Sequence, residues 1–331
     1  MGHLPATAPG TVATGLGERL DGHFRRLRGQ LQDLSRVVVA FSGGADSALL
    51  AWVANDVLGT QGAMAVTAVS ASLAPAELED CRALACEWGL NYREVETHEA
   101  SRPGYVANGA DRCWHCKDEL MQCLAPLASG DGASASSGSR GTQSGQAVKG
   151  IHGREIAEAK ILLGVNIDDL SDYRPGQKAA RDAGALFPLV DAGFTKQDVR
   201  EVSRALGLRT WDKPAAACLA SRVPYGTPVN LGVLQMVAKA EAGLRALGFR
   251  SGLRVRHYGD LARVELPVGD LERAVSVRAR MVEVVRSAGY RYVTLDLEGL
   301  RSGNLNAALA VGAGGSDRPA EIGAQLLEER S

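Results

Sequence analysis

The chain has 331 residues, of which 45% are hydrophobic and 23% are charged, as is ordinary for a globular protein with a sizeable core. Its 37 basic and 38 acidic residues give a formal net charge of -1. This balance lacks the basic excess of a protein that acts mainly on nucleic acid, although a local basic patch stays possible. No apolar run reaches the roughly 18 residues of a membrane span, and the N-terminus has no secretory signal, so we expect a cytoplasmic protein that contacts neither nucleic acid nor membrane.

Strands alternate with helices from residue 16 to residue 206. Leucines spaced three or four residues apart between Leu16 and Leu34 predict an amphipathic helix. The β-branched run 37–41 predicts a buried strand, and a helix over about 46–58 follows it. The later elements are strand 63–69, helix 75–90, strand 91–96, helix 114–127, strand 160–165, helix 174–184, strand 185–190 and helix 195–206. This order predicts an α/β fold, a doubly wound parallel sheet with helices on both faces.

Beyond residue 212 the pattern changes to a small α+β module, with helix 230–246, strands 253–258 and 261–266, helix 269–287 and strand 291–297. We therefore expect two domains, residues 16–212 and residues 213–306. Residues 1–15 are predicted as a disordered arm and residues 307–331 as a flexible tail. The Gly- and Ser-rich residues 129–150 are predicted as a flexible insertion, with a mobile lid as the alternative.

The sequence SGGADS, residues 42–47, stands between a buried strand and a helix. Gly43 and Gly44 let the backbone approach a ligand closely, and the serines and the first N–H groups of the helix can donate to an anion. Asp46 would repel phosphates unless it binds a cation, and Mg²⁺ bridging the carboxylate and the phosphates resolves that conflict. The alternative is that Asp46 or Ser47 is only a helix N-cap.

This segment resembles the PP-loop of the N-type ATP pyrophosphatases, which cleave ATP to AMP and pyrophosphate while they adenylate a substrate. The resemblance implies that ATP and Mg²⁺ bind at Ser42, Gly43, Gly44, Asp46 and Ser47. It extends to LGVNIDD, residues 163–169, where Asp168 or Asp169 would position the ATP or Mg²⁺. The two aspartates could instead only begin a turn. Ser70, which follows the second strand, would contact adenine or ribose.

A second distinctive segment, KPAAACLASRVPYG at residues 213–226, joins the two predicted domains. An active site that faces the loop 42–47 would lie at this junction. Cys218 precedes Ser221 and Arg222 by about one turn, and a nearby guanidinium favours the nucleophilic thiolate form of cysteine. An inert buried cysteine is the ordinary alternative.

Three motifs together resemble the LarE family, the PP-loop sulfur transferases of nickel-pincer nucleotide cofactor biosynthesis. They are DRCWHCK at residues 111–117, NIDDLSDYRPG at 166–176 and CLASRVPYG at 218–226. The resemblance runs from about residue 41 to residue 306 and implies an adenine nucleotide alpha hydrolase-like domain followed by a substrate and oligomerisation domain. It also implies that ATP adenylates the carboxylates of pyridinium-3,5-biscarboxylic acid mononucleotide and that sulfur displaces AMP to leave thiocarboxylates. Cys218 and Asp46 are then the catalytic residues.

The resemblance also implies a set of substrate-binding residues. Arg254 and Arg256 alternate along a predicted strand and so point to one face, where two guanidiniums suit the phosphate and carboxylates of an anionic nucleotide. A solvated strand face is the alternative. The full set is Trp114, Ser221, Arg222, Glu241, Arg254, Arg256 and Asp270.

The source of the sulfur stays open between two branches of the family. In one branch, three cysteines hold a [4Fe-4S] cluster whose open iron binds an exchangeable sulfide, and Cys113, Cys116 and Cys218 would be the ligands here. In the other branch, the active cysteine gives up its own sulfur and becomes dehydroalanine. Cys113 and Cys116 could also be a structural or incidental pair. We favour the cluster, with Cys218 as sacrificial donor the alternative.

Other functions compete with this one. A tRNA thiolase also combines a PP-loop with cysteines, but the balanced charge argues against an RNA partner. An amide ligase that uses ammonia would leave the three cysteines unexplained, and a non-enzymatic adenine-nucleotide binder is expected only with a degenerate loop. The family relationship further implies a homo-oligomer and a downstream enzyme of the same pathway that inserts nickel.

Overall fold

The computed structural model describes residues 15–129, 158–170, 175–214, 218–250 and 252–301. The predicted arm apart from Gly15, the predicted insertion apart from Ser129, and the predicted tail lie outside these residues. The described residues form two sheets, one of four strands and one of three.

The four-stranded sheet is built from the N-terminal part of the chain. Its strands are β1 (Val37–Ala40), β2 (Ala63–Val69), β3 (Tyr92–Glu96) and β4 (Lys160–Leu163). They lie in the order β3-β2-β1-β4, and every pair is parallel, which confirms the predicted α/β fold. Parallel strands bring their carboxyl ends to one edge of the sheet, so the segments that follow β1, β2 and β4 lie near one another.

Helices cover both faces of this sheet. They are α1 (Glu18–Leu34), α2 (Ala45–Gly62), α3 (Pro75–Glu87), α4 (Pro103–Val106), α5 (Arg112–Ser129), α6 (Pro175–Asp182), α7 (Pro188–Asp191) and α8 (Lys196–Ala205). Val37 and Val39 of β1 pack in one core with α1, α2 and α8, whereas Val38 packs in a second core with α5 and α6. Because alternate side chains serve two cores, the strand is a continuous hydrophobic run.

Two predicted elements are wrong. Residues 185–190 form no strand; a single bridge joins Leu186 to Leu162, and α7 begins at Pro188. Proline has no N–H for a sheet and has a backbone angle suited to the first turn of a helix. The predicted helix 269–287 is two helices, α10 (Leu271–Ser276) and α11 (Arg278–Ser287), interrupted at Val277 with φ -105° and ψ 18°.

The C-terminal part folds around the three-stranded sheet. Helix α9 (Leu231–Ala246) precedes β5 (Arg254–Tyr258) and β6 (Leu261–Glu265), and β7 (Tyr292–Leu295) follows α11. Strand β5 pairs antiparallel with β6, and β6 pairs parallel with β7. α9, β5, β6 and α11 enclose a separate apolar core around Phe249 and Val255. In the described ranges, no helix is both long and apolar enough to cross a bilayer.

Candidate active site

Hydrogen bonds made by two serines fix the loop between β1 and α2. The Ser47 hydroxyl accepts from the Ser42 N–H at 3.2 Å and donates to the Gly44 carbonyl at 3.1 Å. Gly43 has a φ of +68°, and a Cβ there would lie 2.9 Å from the sulfur of Cys81, so only glycine fits. The N-cap of α2 is Gly44, and no side chain caps this helix. Its first N–H groups are therefore available to an anion, as the predicted phosphate site requires.

Asp46, in the first turn of α2, lies beside a second carboxylate. Its Oδ1 accepts from the side-chain amide of the buried Asn166 at 2.9 Å. Burial raises the pKa of Asp46; the bond from Asn166 and the charge of Lys196 oppose this rise, and the charge of Asp169 adds to it. A half-buried carboxylate and a buried one at a phosphate-binding loop offer the hard oxygen ligands that Mg²⁺ prefers, so these residues fit the predicted ion.

The segment after β4 packs directly on the start of α2. A Cβ at Gly164 would lie 2.6 Å from the backbone nitrogen of Ser47, so the close approach requires glycine. Asp169 accepts a hydrogen bond from the Asn166 N–H at 3.3 Å and is buried beside the loop. Asp168 is exposed, and its carboxylate accepts from the N–H of Lys196 at 2.8 Å, at the start of α8. Of the two predicted aspartates, Asp169 is therefore the one turned toward Asp46.

The end of β2 is joined to the segment that contains Cys218. The Ser70 and Ser72 hydroxyl groups lie 2.9 Å apart, and the Ser72 carbonyl accepts from the N–H of Leu219 at 2.8 Å. Because β1 and β2 are parallel neighbours, their carboxyl ends share one edge of the sheet. Cys218 therefore lies at the edge from which the PP-loop also extends. Cys218 is exposed, so it is not the inert buried cysteine of the alternative interpretation.

Two residues that sequence reasoning missed anchor the Cys218 segment. Arg112 is 4% exposed, and its guanidinium donates to Asn108 Oδ1 at 2.6 Å and to the Ala220 carbonyl at 2.9 Å. The Asn108 amide donates to the carbonyls of Pro224 and Thr227, each at 2.8 Å. Arg112 is part of the motif DRCWHCK, but nothing in the sequence shows that its side chain reaches a segment 108 positions away.

The three predicted metal-ligand cysteines are neighbours. Cys113 is exposed and Cys116 half-buried in the first turns of α5. Burial raises the pKa of Cys116 to about 12, with nearby Cys218 and Cys113 also acting in that direction. In the part of the chain that the structure describes, however, no group of three or more His, Cys, Asp or Glu side chains is arranged to hold a metal ion. The cluster therefore stays a prediction. Trp114, beside Cys113, is 38% exposed and so open to a ligand.

Two of the predicted arginines are held by fully buried carboxylates. Arg222 binds both oxygens of Glu241, at 2.8 and 3.2 Å, and also donates to the Cys218 carbonyl at 3.1 Å. Arg256 binds Glu265 at 2.9 Å and the Ser221 carbonyl at 2.8 Å. Buried carboxylates that fix guanidiniums in this way orient the arginines beside Cys218.

Glu241 was predicted to contact the substrate, but its carboxylate faces the interior. It accepts from Arg222 and Arg245 and from the N–H of Val255, and it has no exposed surface. We therefore interpret Glu241 as a residue that orients Arg222. Asp270 lies in the turn before α10 and makes no side-chain hydrogen bond or ion pair with the predicted arginines within the described ranges.

Arg254 differs from the other two arginines. It is half-buried, and its guanidinium makes no hydrogen bond or ion pair with any residue that the structure describes. Burial lowers its pKa, and the charges of Arg256 and Arg222 lower it further. A guanidinium that is partly desolvated and lies near two others is a strong attractor for an anion.

Comparisons with known proteins identify the family of this chain. The NAD synthase family model matches residues 25–107, which include the PP-loop. An uncharacterized protein of Synechocystis sp. is 42% identical over 88% of this chain and 99% of its own length. The pyridinium-3,5-bisthiocarboxylic acid mononucleotide synthase of Lactiplantibacillus plantarum is 37% identical over 84% of this chain and 92% of its own length. This chain therefore belongs to the LarE family of ATP-dependent PP-loop sulfur transferases.

Proposed function

We propose that this protein converts the carboxylates of pyridinium-3,5-biscarboxylic acid mononucleotide into thiocarboxylates at the expense of ATP. The observation that carries the proposal is the 2.8 Å hydrogen bond from the Leu219 N–H to the Ser72 carbonyl. It holds an exposed thiol at the sheet edge from which the PP-loop extends, so activation and sulfur transfer can share one cleft. The L. plantarum relative, named for the bisthiocarboxylic acid product, supports this choice of substrate.

In the first step a substrate carboxylate attacks the α-phosphorus of ATP, and the bond to pyrophosphate breaks. The N–H groups at the start of α2 bind phosphate oxygens, and the helix dipole favours their charge. Asp46 and Asp169 would hold Mg²⁺, which offsets the charge of the phosphates. The product is an acyl adenylate, in which AMP replaces a carboxylate oxygen as the leaving group.

In the second step a sulfur anion attacks the acyl carbon, and the bond to AMP breaks. If Cys218 supplies the sulfur itself, its thiolate first forms a thioester. Loss of the Cys218 Cα proton then breaks the Cβ–S bond and leaves dehydroalanine and the thiocarboxylate. The chain loses the elements of H₂S, and the step needs no oxidant or reductant.

The arginines beside Cys218 would bind the anionic groups of the substrate. Arg254 is the principal ligand because it has no hydrogen bond to any residue that the structure describes, whereas Arg222 and Arg256 are already oriented by Glu241 and Glu265. Exposed Trp114 offers an aromatic face to the pyridinium ring.

The [4Fe-4S] route stays our prediction for repeated turnover, with Cys113, Cys116 and Cys218 as ligands. Within the described residues, the side chains are not arranged to hold a metal ion, so neither of the steps above involves the cluster. Iron and sulfide analysis of anaerobically purified protein decides between the routes. Iron and sulfide at cluster stoichiometry support the cluster, whereas their absence with loss of H₂S from the Cys218 peptide supports the sacrificial route.

The function itself is tested by incubating the protein with ATP, Mg²⁺ and the pyridinium dicarboxylate mononucleotide. We expect pyrophosphate release that depends on this substrate, and a product with sulfur in place of oxygen by mass spectrometry. Pyrophosphate release that requires ammonia would instead indicate an amide ligase, and retention of tRNA would indicate a tRNA thiolase. The homo-oligomer, the cytoplasmic location and the nickel-inserting partner stay predictions.

A further inference from the structure

The hydroxyl groups of Ser70 and Ser72 form a short chain of hydrogen bonds that ends on a buried carboxylate. Ser70 directly follows β2 and is half-buried, whereas Ser72 and Glu99 are 5% and 3% exposed. The Ser72 hydroxyl donates to Glu99 Oε1 at 3.0 Å, and the two serine hydroxyl oxygens lie 2.9 Å apart. The Ser70 hydroxyl oxygen also accepts from the Ser72 N–H at 3.2 Å. Neither of the proposed steps gives this chain of hydrogen bonds a role.

The carboxylate fixes the direction of each of these hydrogen bonds. A carboxylate only accepts hydrogen bonds, and a serine hydroxyl has one proton and two lone pairs. Because Ser72 gives its one proton to Glu99, the proton in the bond between the two serines comes from Ser70. One lone pair of the Ser70 oxygen accepts from the Ser72 N–H, and no other described residue bonds to this oxygen. The Ser70 oxygen therefore has one lone pair left and no proton to give.

The position of Ser70 indicates which ligand group meets that lone pair. β2 is the parallel neighbour of β1, and β1 leads into the PP-loop, so Ser70 lies at the sheet edge to which the proposed function assigns ATP. A phosphate oxygen at Ser70 would face a lone pair with no proton between the two oxygens, so this hydroxyl does not suit an anionic group. The nucleoside half of ATP does carry donors, which are the 6-amino group of adenine and the hydroxyl groups of ribose.

We propose that Ser70 is a specificity-determining residue for ATP and that Glu99, acting through Ser72, keeps the Ser70 hydroxyl a pure hydrogen-bond acceptor. The ligand of Ser70 is an N–H or O–H group of adenosine, which is the 6-amino group or a ribose hydroxyl. The inference rests on the proposed function in one respect, the binding of ATP at this edge of the sheet. Ser72 and Glu99 are positioning residues that act only through Ser70, and no covalent bond changes in this role.

The test measures nucleotide binding by calorimetry in the absence of the pyridinium substrate. ATP is compared with purine riboside triphosphate, which lacks only the 6-amino group, and with 2′-deoxy-ATP and 3′-deoxy-ATP, which each lack one ribose hydroxyl. Ser70→Ala should bind ATP about 2- to 12-fold more weakly than the wild type, the range expected for one neutral hydrogen bond. For the analogue that lacks the donor, the ratio of its Kd to that of ATP should be smaller in Ser70→Ala than in the wild type by the same factor. The analogue that shows this change identifies the group that Ser70 binds.

Two variants of Glu99 test the direction of the hydrogen bonds. Glu99→Gln keeps a side-chain oxygen that can accept from Ser72, so it should keep the wild-type ratio of dissociation constants. Glu99→Leu removes the acceptor, so the Ser72 proton can turn toward Ser70 and the ratio should fall as it does in Ser70→Ala. The control Ser101→Ala removes an exposed hydroxyl that donates to the His98 carbonyl, and it should match the wild type. Circular dichroism checks that each variant folds; if Glu99→Leu does not, Ser72→Ala also frees the Ser70 proton and takes its place.

The inference is overturned if Ser70→Ala keeps the wild-type ratio for every analogue, because the hydroxyl would then have only a structural role. It is also overturned if the wild type does not bind ATP, or if Glu99→Leu and Glu99→Gln give the same ratio. The proposed function is tested separately by pyrophosphate release with the pyridinium substrate. If the wild type releases none, the proposed function fails, whereas calorimetry with ATP alone still decides the role of Ser70.

Discussion

Replacing Arg254 with methionine separates substrate binding from stability. The Arg254 guanidinium makes no hydrogen bond or ion pair with a described residue, and its pKa is lowered by burial and by the charges of Arg256 and Arg222. Its removal leaves no carboxylate without a hydrogen-bond partner. It removes the repulsion from Arg256 and Arg222 together with a smaller attraction to Glu265 and Glu241. We therefore expect the free energy of unfolding of Arg254→Met to differ from the wild type by less than about 1 kcal/mol.

The effect on substrate binding should be much larger. A hydrogen bond from a charged donor to a phosphate or carboxylate contributes about 1.5–3 kcal/mol. At about 1.4 kcal/mol for each tenfold change, its loss should raise the KM for the pyridinium substrate about 10- to 150-fold. Arg254→Lys keeps the positive charge but not the forked geometry of the guanidinium, so its KM should lie between those of the wild type and Arg254→Met.

Arg222→Met is the matched comparison because it removes one hydrogen-bonding partner of the buried Glu241 carboxylate. Glu241 would keep only Arg245 and the N–H of Val255 as partners. Removing one partner of a buried ion pair costs about 3–5 kcal/mol when nothing replaces it, so with two partners left we expect a loss of about 2–3 kcal/mol. The double variant Arg222→Met with Glu241→Met should regain most of that stability and stay inactive.

Urea unfolding followed by circular dichroism measures the stabilities, and pyrophosphate release at saturating ATP measures the KM. The reasoning is refuted if Arg254→Met is destabilised as much as Arg222→Met. It is also refuted if Arg254→Met keeps the wild-type KM, because the substrate anion would then bind elsewhere.

Three further outcomes are expected. Gly164→Ala places a Cβ 2.6 Å from the backbone of α2, so this variant should lose about 1–3 kcal/mol of stability. Calorimetry should also show weaker ATP binding. The control Gly29→Ala, at an open site in α1, should show neither effect. Burial alone would raise the pKa of Asp198, but hydrogen bonds, above all the one from Arg19, lower it to about 2. The carboxylate therefore stabilises the fold above its unfolded pKa of 3.8, and this contribution is lost as the pH falls through 2. Thermal melts should show Asp198→Asn about 2 kcal/mol less stable than the wild type near neutral pH and no different near pH 2; a constant difference would contradict this. Cys218→Ser should release pyrophosphate but form no thiocarboxylate, and a sulfur-containing product from this variant would remove Cys218 from the transfer step.

Much of the α/β part could be predicted from the sequence because its signals are local. The run at residues 37–41 and the glycines that follow it specify a buried strand and a tight phosphate-binding turn within ten residues. The strand predicted at 185–190 failed for an equally local reason, since Pro188 begins a helix there. Arg254 and Arg256 were predicted together from their alternation, yet only Arg256 has a buried carboxylate as its partner.

The sequence by itself determined the parallel α/β sheet and the PP-loop, because both depend on neighbouring residues and on backbone geometry. Only the tertiary structure decided that Glu241 faces inward, that Arg112 donates a hydrogen bond to the Ala220 carbonyl, and that the N–H of Leu219 donates to the Ser72 carbonyl. These contacts join residues far apart in the chain, where no periodicity or motif relates one partner to the other. Leu219 and Ala220 lie in an apolar cluster with Tyr105 and Leu234, residues from distant segments that come together only in the folded chain.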